Sequence, residues 1–391
     1  MAKSESSEYV QILVGSAGYF DAPEPDSVFL VQLSLADGAL SCVGEPISVG
    51  AANPGWLTCK SSSSTLYVAF EVAAGAVRAF KMSSAPGTTP LSLEPLGEAV
   101  STVGRAPCHL MLDETGRWLF AANYVEGSVS VLPILEDGSV GKARDSKMHQ
   151  GHDRIPAELY DRQERPHCHQ VNVHPSNKWV VVSDLGMSSV LVYEFNAELG
   201  ALIGAADDPR HLVLEPGAGC RHARFNSTGD RLYVNNELTC TVTVCQFDAE
   251  SGNLTALQTI PTLPPETLPK RDGHWGNSDI HVHPNGRFLY VGCRSADPGL
   301  LTVFGIDADG KLSLIGHHST RGTIPRNFKL VGDGKWLVVG NQESKTIVSF
   351  AVDSETGKLE FVSEVSTSLK PCNICPISDV HSTGLKRKLG S

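Results

Sequence analysis

A chain of 391 residues with 41% apolar content can bury a large core, and its formal charge of −11 argues against nucleic acid or an anionic membrane surface as its main partner. Residues 1–8 are polar and lack a signal-peptide core, and no apolar run approaches the ~18 residues of a membrane span, so a cytoplasmic protein is expected. In that setting the ten cysteines read as reduced thiols; Cys372 and Cys375 form a CxxC with no second pair at zinc spacing, and no metal or cofactor is expected.

Along the chain one unit repeats. A turn, a large apolar pair, a valine-rich run and a polar end recur at residues 64–71, 116–124, 177–185, 229–237, 286–294 and 334–342, with an earlier copy at 11–16. A short strand precedes each later copy, beginning near Trp56, His109, His169, Arg221, Ile280 and Asn327, and a last such strand begins near Ile374. A third apolar strand follows each copy, then a turn such as Asp137-Gly138 or Asp309-Gly310, then a fourth strand. Four strands per unit at a period of about 50 residues predict an all-β, seven-bladed β-propeller with antiparallel blades and no helix of useful length. The N-terminus supplies strands two to four of one blade and the C-terminus its first strand, which closes the ring without a free edge. One domain over residues 9–380 is expected, with flexible tails at 1–8 and 381–391.

Two connections, 141–165 and 262–276, are longer than the rest. Both join a fourth strand to the next first strand, so both emerge on the edge where first strands begin, a common place for binding loops on a rigid scaffold.

First-strand starts and second-strand ends share that edge. The first set contributes His109, His169, Arg221, Asp279, His281 and Arg326; the second contributes Glu71, Tyr124, Asp184, Glu237, Arg294, Asn341 and Gln342. The opposite edge carries turn chemistry, including His174 and His283, each followed by proline. His109 and His281 adjoin apolar strand interiors, which favours packing, although both are carried as candidate substrate contacts with Tyr124, Arg326 and Gln342. Three converging arginines need either protein partners or an anionic ligand, which arginine binds bidentately. The sequence has no nucleophile elbow, P-loop or HExxH motif. Acid/base chemistry on an anionic substrate remains, with His169 and Glu237 transferring protons and arginines stabilising a developing oxyanion.

At these residues the chain resembles the lactonase family of seven-bladed propellers, which includes 6-phosphogluconolactonases and carboxy-cis,cis-muconate lactonizing enzymes. The resemblance lies in Pro107-Cys-His109, Pro166-His-Cys-His169, Cys220-Arg-His222, Asn236-Glu-Leu238, Ser278-Asp-Ile-His281 and Pro325-Arg-Asn-Phe328. It implies catalytic roles for His169, Arg221, Glu237 and Arg294. Three functions stay open on these residues. The first is hydrolysis of a phosphorylated or carboxylated sugar lactone such as 6-phosphogluconolactone. The second is cycloisomerisation of a muconate-type dicarboxylate, and the third is a non-catalytic protein-binding scaffold. The expected partner is a small anionic lactone or dicarboxylate, with the oligomeric state open.

Overall fold

A computed structural model describes residues 9–378 except 19–21, 60–63, 85–90, 151–154, 206–207, 209, 268–275 and 295–296. The expected tails at 1–8 and 381–391 lie outside the described residues, as does part of the 262–276 connection. Seven antiparallel sheets follow one another along the chain. Strands Pro54–Cys59, Pro107–Leu112, Cys168–Val173, Cys220–Phe225, Asn277–Val282 and Pro325–Val331 open blades 2 to 7. Blade 1 is closed by the C-terminal strand Pro371–Ser378, which pairs with Tyr9–Ser16 in a register that sets Ile374 against Val14. Six sheets have four strands; in blade 4 the outer position is divided between Ala201–Ile203 and Leu212–Val213, both paired to Ser189–Asn196.

Contacts between blades explain the large residue at the head of each repeat. Trp118 of blade 3 gives its indole hydrogen to Ala197 O in blade 4 at 2.8 Å, and Trp179 of blade 4 does the same to Ala249 O in blade 5 at 2.7 Å. Each ring lies on a turn glycine of the neighbouring blade. A Cβ on Gly200 would come within 2.1 Å of Trp118, and one on Gly252 within 2.7 Å of Trp179, at φ values of +67° and +80°. Only glycine provides both the left-handed backbone and the space. Burying such a ring stabilises by about 2–3 kcal/mol, so the repeat signature is a description of how blades dock.

Two expectations need adjusting. The outer strand of blade 3 is Asp145–Met148, paired with Ser128–Val131, so the first long connection starts later than 141. That connection also contains a helical turn, Ala157–Leu159 followed by Tyr160–Gln163, too short to show as a sequence period.

Candidate functional site

The site is built by an irregularity repeated at the start of the first strands. In blades 2, 3, 4, 5 and 7 the pairing to the second strand skips one residue, between Pro54/Trp56, Pro107/His109, Cys168/Gln170, Cys220/His222 and Pro325/Asn327. A bulge of this kind sets two residues opposite one and re-aims their side chains. The bulged residues His169, Arg221 and Arg326 line an upper cavity of about 460 Å³ at the mouth where first strands begin.

One residue on, Trp56, His109, Gln170, His222, Asp279 and Asn327 occupy the middle of the channel. Trp56 and His109 lie 4.2 Å apart by ring centroid, Trp56 and His222 5.8 Å, and His109 and His222 5.9 Å, so rings from blades 2, 3 and 5 meet across the axis. These residues also staple neighbouring blades. Gln170 Oε1 accepts from Ala223 N at 2.6 Å, Asn327 Oδ1 from Ile374 N at 2.8 Å, and His109 Nδ1 from Val171 N at 3.5 Å. Two residues further, Asn172, Arg224, His281 and Lys329 line a lower cavity.

Glu237 is the centre of the upper cavity. It directly follows the second strand of blade 5, and its N–H bonds to Gly219 O at 2.7 Å. Its Oε1 meets Arg162 Nη2 at 2.6 Å; its Oε2 meets Arg221 Nε at 2.8 Å and Arg294 Nη2 at 3.0 Å. Arg294 is itself anchored on the carbonyls of Gly276 and Asn277 at 3.3 and 3.2 Å, and Arg221 on that of Ser278. Burial alone would raise the Glu237 carboxyl, but Arg294, then Arg162 and Arg221, hold it well below the carboxylate range. Burial and then Arg294 pull Arg221 down to about 10, which leaves it cationic at neutral pH.

His169 and Glu71 respond differently to the same surroundings. Burial, then Arg221 and His222, push His169 well below its usual value, so its ring is neutral. Its Nδ1 faces Cys108 Sγ at 3.9 Å, and Tyr124 meets its ring edge-on at 5.4 Å. Glu71 follows the second strand of blade 2 and lines the same cavity. Its carboxylate lies over Gly55, where a Cβ would approach Oε2 to 2.8 Å. Burial raises Glu71 above its ordinary value, and Arg326 and Arg221 only partly oppose this. Arg326 is the cation that acts on it most strongly.

Of the residues singled out from sequence, His169, Glu237, Arg221, Arg294, Tyr124 and Arg326 line one cavity. His109 and His281 do not. They sit one and three positions beyond the bulge row, and both line the lower cavity, His109 as part of the channel plug. The ordinary strand alternation hides this, because the bulge sends consecutive residues to different depths. Gln342 is fully buried and donates from Nε2 to Ala17 O at 2.7 Å, which ties blade 7 to blade 1. Asp184 also turns away from the cavity. Its Oδ1 accepts from the N–H groups of His167 and Met187 at 2.8 and 3.0 Å, and its Oδ2 meets His149 Nδ1 at 2.7 Å. With Cys168, these two form the one group among the described residues whose donor atoms could hold a metal, all within 4.8 Å and all buried. As it stands, it is a hydrogen-bonded pin that fixes the 149–167 connection to blade 4. Arg162 was not visible in the sequence as a site residue. It comes from that connection, and its short helical turn carries no repeat position to mark it.

A family model described as "Lactonase, 7-bladed beta-propeller" matches residues 12–374. The chain is 28% identical over 366 residues to the 6-phosphogluconolactonase of Bacillus subtilis, covering 93% of this chain and 97% of that one. It is 35% identical over 262 residues to the 6-phosphogluconolactonase of Pectobacterium carotovorum, covering 67% and 71%. The solved structure of the periplasmic gluconolactonase of Pseudomonas aeruginosa superimposes with a TM-score of 0.81 at 28% identity, covering 94% of this chain and 98% of that one.

Proposed function

The chain belongs to the lactonase family of seven-bladed β-propellers, and we propose that it is a lactone-ring hydrolase whose substrate is an anionic sugar lactone. The observation that carries the anionic part is the charge of the upper cavity. Arg162, Arg221, Arg294 and Arg326 line it with two deep carboxylates, Glu71 and Glu237, and the remaining acids, Asp161 and Glu164, lie exposed at the rim. Four guanidiniums converging on one cavity favour a phosphate or carboxylate on the substrate.

In this reading Glu237 is an anchor, since both its oxygens are engaged and its carboxylate is too weak a base to take a proton near neutral pH. Glu71 is the stronger base, because burial raises it and Arg326 and Arg221 oppose this only in part. Its carboxylate takes one proton from water as the water oxygen adds to the lactone carbonyl carbon. Arg221 and Arg294, fixed by Glu237 and by backbone carbonyls, hold the oxyanion that forms. The acyl carbon–ring oxygen bond then breaks, and the proton held by Glu71 passes to the ring oxygen, which leaves as a hydroxyl. Neutral His169 hydrogen-bonds that oxygen as it departs. The acid product ionises and releases one proton to solvent.

That proton is the assay. Purified protein at constant pH is expected to consume base with 6-phosphogluconolactone well above the spontaneous rate, and more slowly with unphosphorylated gluconolactone. A folded protein with no excess rate on either ends the hydrolase reading; equal rates on both end the anionic one.

A further inference from the structure

Below the ring plug the channel widens into a second cavity of about 410 Å³, which the lactone chemistry does not use. Its charged lining comes from three neighbouring blades: Arg224, His281 and Lys329, with Trp56 and Phe225 as aromatic wall. Asp279 is the carboxylate nearest to them, and its lone pairs are taken. Oδ1 accepts from His222 Nδ1 at 2.8 Å and Ile280 N at 2.9 Å; Oδ2 accepts from His281 Nε2 at 2.9 Å and Asn327 Nδ2 at 2.5 Å.

The two cations therefore share a carboxylate that is already saturated. Arg224 Nη2 stays 3.8 Å from Asp279 Oδ1, while its Nη1 bonds to Asn172 Oδ1 at 3.1 Å and Ala223 O at 3.2 Å. Lys329 Nζ lies 3.4 Å from His281 Nε2, but that nitrogen gives its hydrogen to Asp279 and has no lone pair to offer. Beyond it the ammonium has the Trp56 ring, 6.0 Å away. Burial, then Arg224, lower Lys329 to about 8, as expected of a cation short of counter-charge. Burial and then Lys329 take His281 to about 3, so this ring adds no charge of its own at neutral pH.

We propose that the lower cavity binds a small carboxylate or phosphate monoester, with its anionic group between Lys329 Nζ and the Arg224 guanidinium and its carbon body against Trp56 and Phe225. An arginine fork beside a lysine point charge suits such a group, and the cavity leaves room for a body of several carbons. The site lies on the far side of the plug from His169 and Arg221 and stands whether or not the lactone reading holds.

Calorimetric titration of the full-length protein with inorganic phosphate tests it. Binding assigned to this cavity should weaken at least tenfold in Lys329→Met and in Arg224→Gln, persist within a few-fold in Lys329→Arg, and persist in Arg294→Met. Lactone turnover should be unchanged in Lys329→Met. Selenate soaked into crystals of the unmodified protein should give an anomalous peak within hydrogen-bond distance of Lys329 Nζ. Phosphate binding that survives loss of both Lys329 and Arg224, or that vanishes with Arg294, overturns the proposal. So does a selenate peak found only among Arg221 and Arg294.

Discussion

The two mouths of the channel use similar residue types to opposite ends. At the upper mouth a carboxylate, Glu237, is surrounded by three arginines that reach it at 2.6–3.0 Å, and a fourth, Arg326, lines the same cavity. At the lower side a carboxylate, Asp279, is surrounded mainly by neutral donors, two histidines and an asparagine, that lock blades 5, 6 and 7 together. The difference shows which charges a fold needs and which it only tolerates. Neutral donors on a buried carboxylate hold structure at modest electrostatic cost, whereas clustered guanidiniums carry a desolvation and repulsion penalty that a ligand can relieve. The upper mouth, moreover, receives Arg162 from a long connection.

Removing the upper anchor should have the largest effect. Glu237→Ala leaves three guanidiniums without their shared carboxylate; loss of one partner of a buried pair costs about 3–5 kcal/mol of stability, and kcat/KM should fall by at least ~10³ as the oxyanion donors lose position. Chemical denaturation and initial-rate measurements would read both. The stability supplied by Glu237 follows from its depressed pKa. It is present above the unfolded value, near ~4.3, and is lost as pH falls below it toward the folded one.

Glu71→Gln should separate activity from stability. The rate should drop by ~10²–10⁴, and the acid limb of the pH–rate profile, where protonating Glu71 stops the wild type, should disappear. Because burial raises Glu71 in the fold, its charged form costs stability above its unfolded pKa. The variant should therefore melt higher at pH 7, and a lower melting point would contradict the assignment.

A paired test of two histidines follows. His169→Asn should slow turnover by ~10–10² with little change in melting temperature, while His109→Asn should lower stability by about 1–3 kcal/mol through the lost Val171 staple and leave kcat near native. Exchanged outcomes would mean that the plug and the cavity floor have been misassigned.

Arg162→Ala should be milder, raising KM for a phosphorylated lactone about tenfold, equal to ~1.4 kcal/mol, with a smaller change for an uncharged one. The smallest catalytic effect is expected at the lower side, where Lys329→Met should leave kcat/KM unchanged. Lys329 falls to about 8 in the fold, so its charge costs stability below that pH, and the cost fades as pH approaches the unfolded value near ~10.4. The variant should melt higher than the native protein at pH 7 and equal it near pH 11.

The sequence by itself determined the ring. A large residue at the head of a repeat and glycine in the turn of the next blade are local signals, and they recur because blades dock in related ways, with Trp118, Trp179 and Trp336 each on such a glycine. It also marked His169, Arg221, Glu237, Arg294, Tyr124 and Arg326 for one mouth, since ends of successive strands fall on a common edge whatever their detailed pairing. Tertiary structure alone decided depth. His109 and His169 occupy nearly equivalent places in two repeats, yet one staples blades above the lower cavity and the other faces the upper cavity. The bulge that separates them is a property of pairing between strands, and no single strand records it. Arg162 reached Glu237 for a related reason: its position depends on how an irregular connection, pinned by His149 on Asp184, is laid across the mouth. Periodicity fixes what is repeated, and the chemistry of this protein rests in part on a bulge that no single strand records and on one connection that does not repeat.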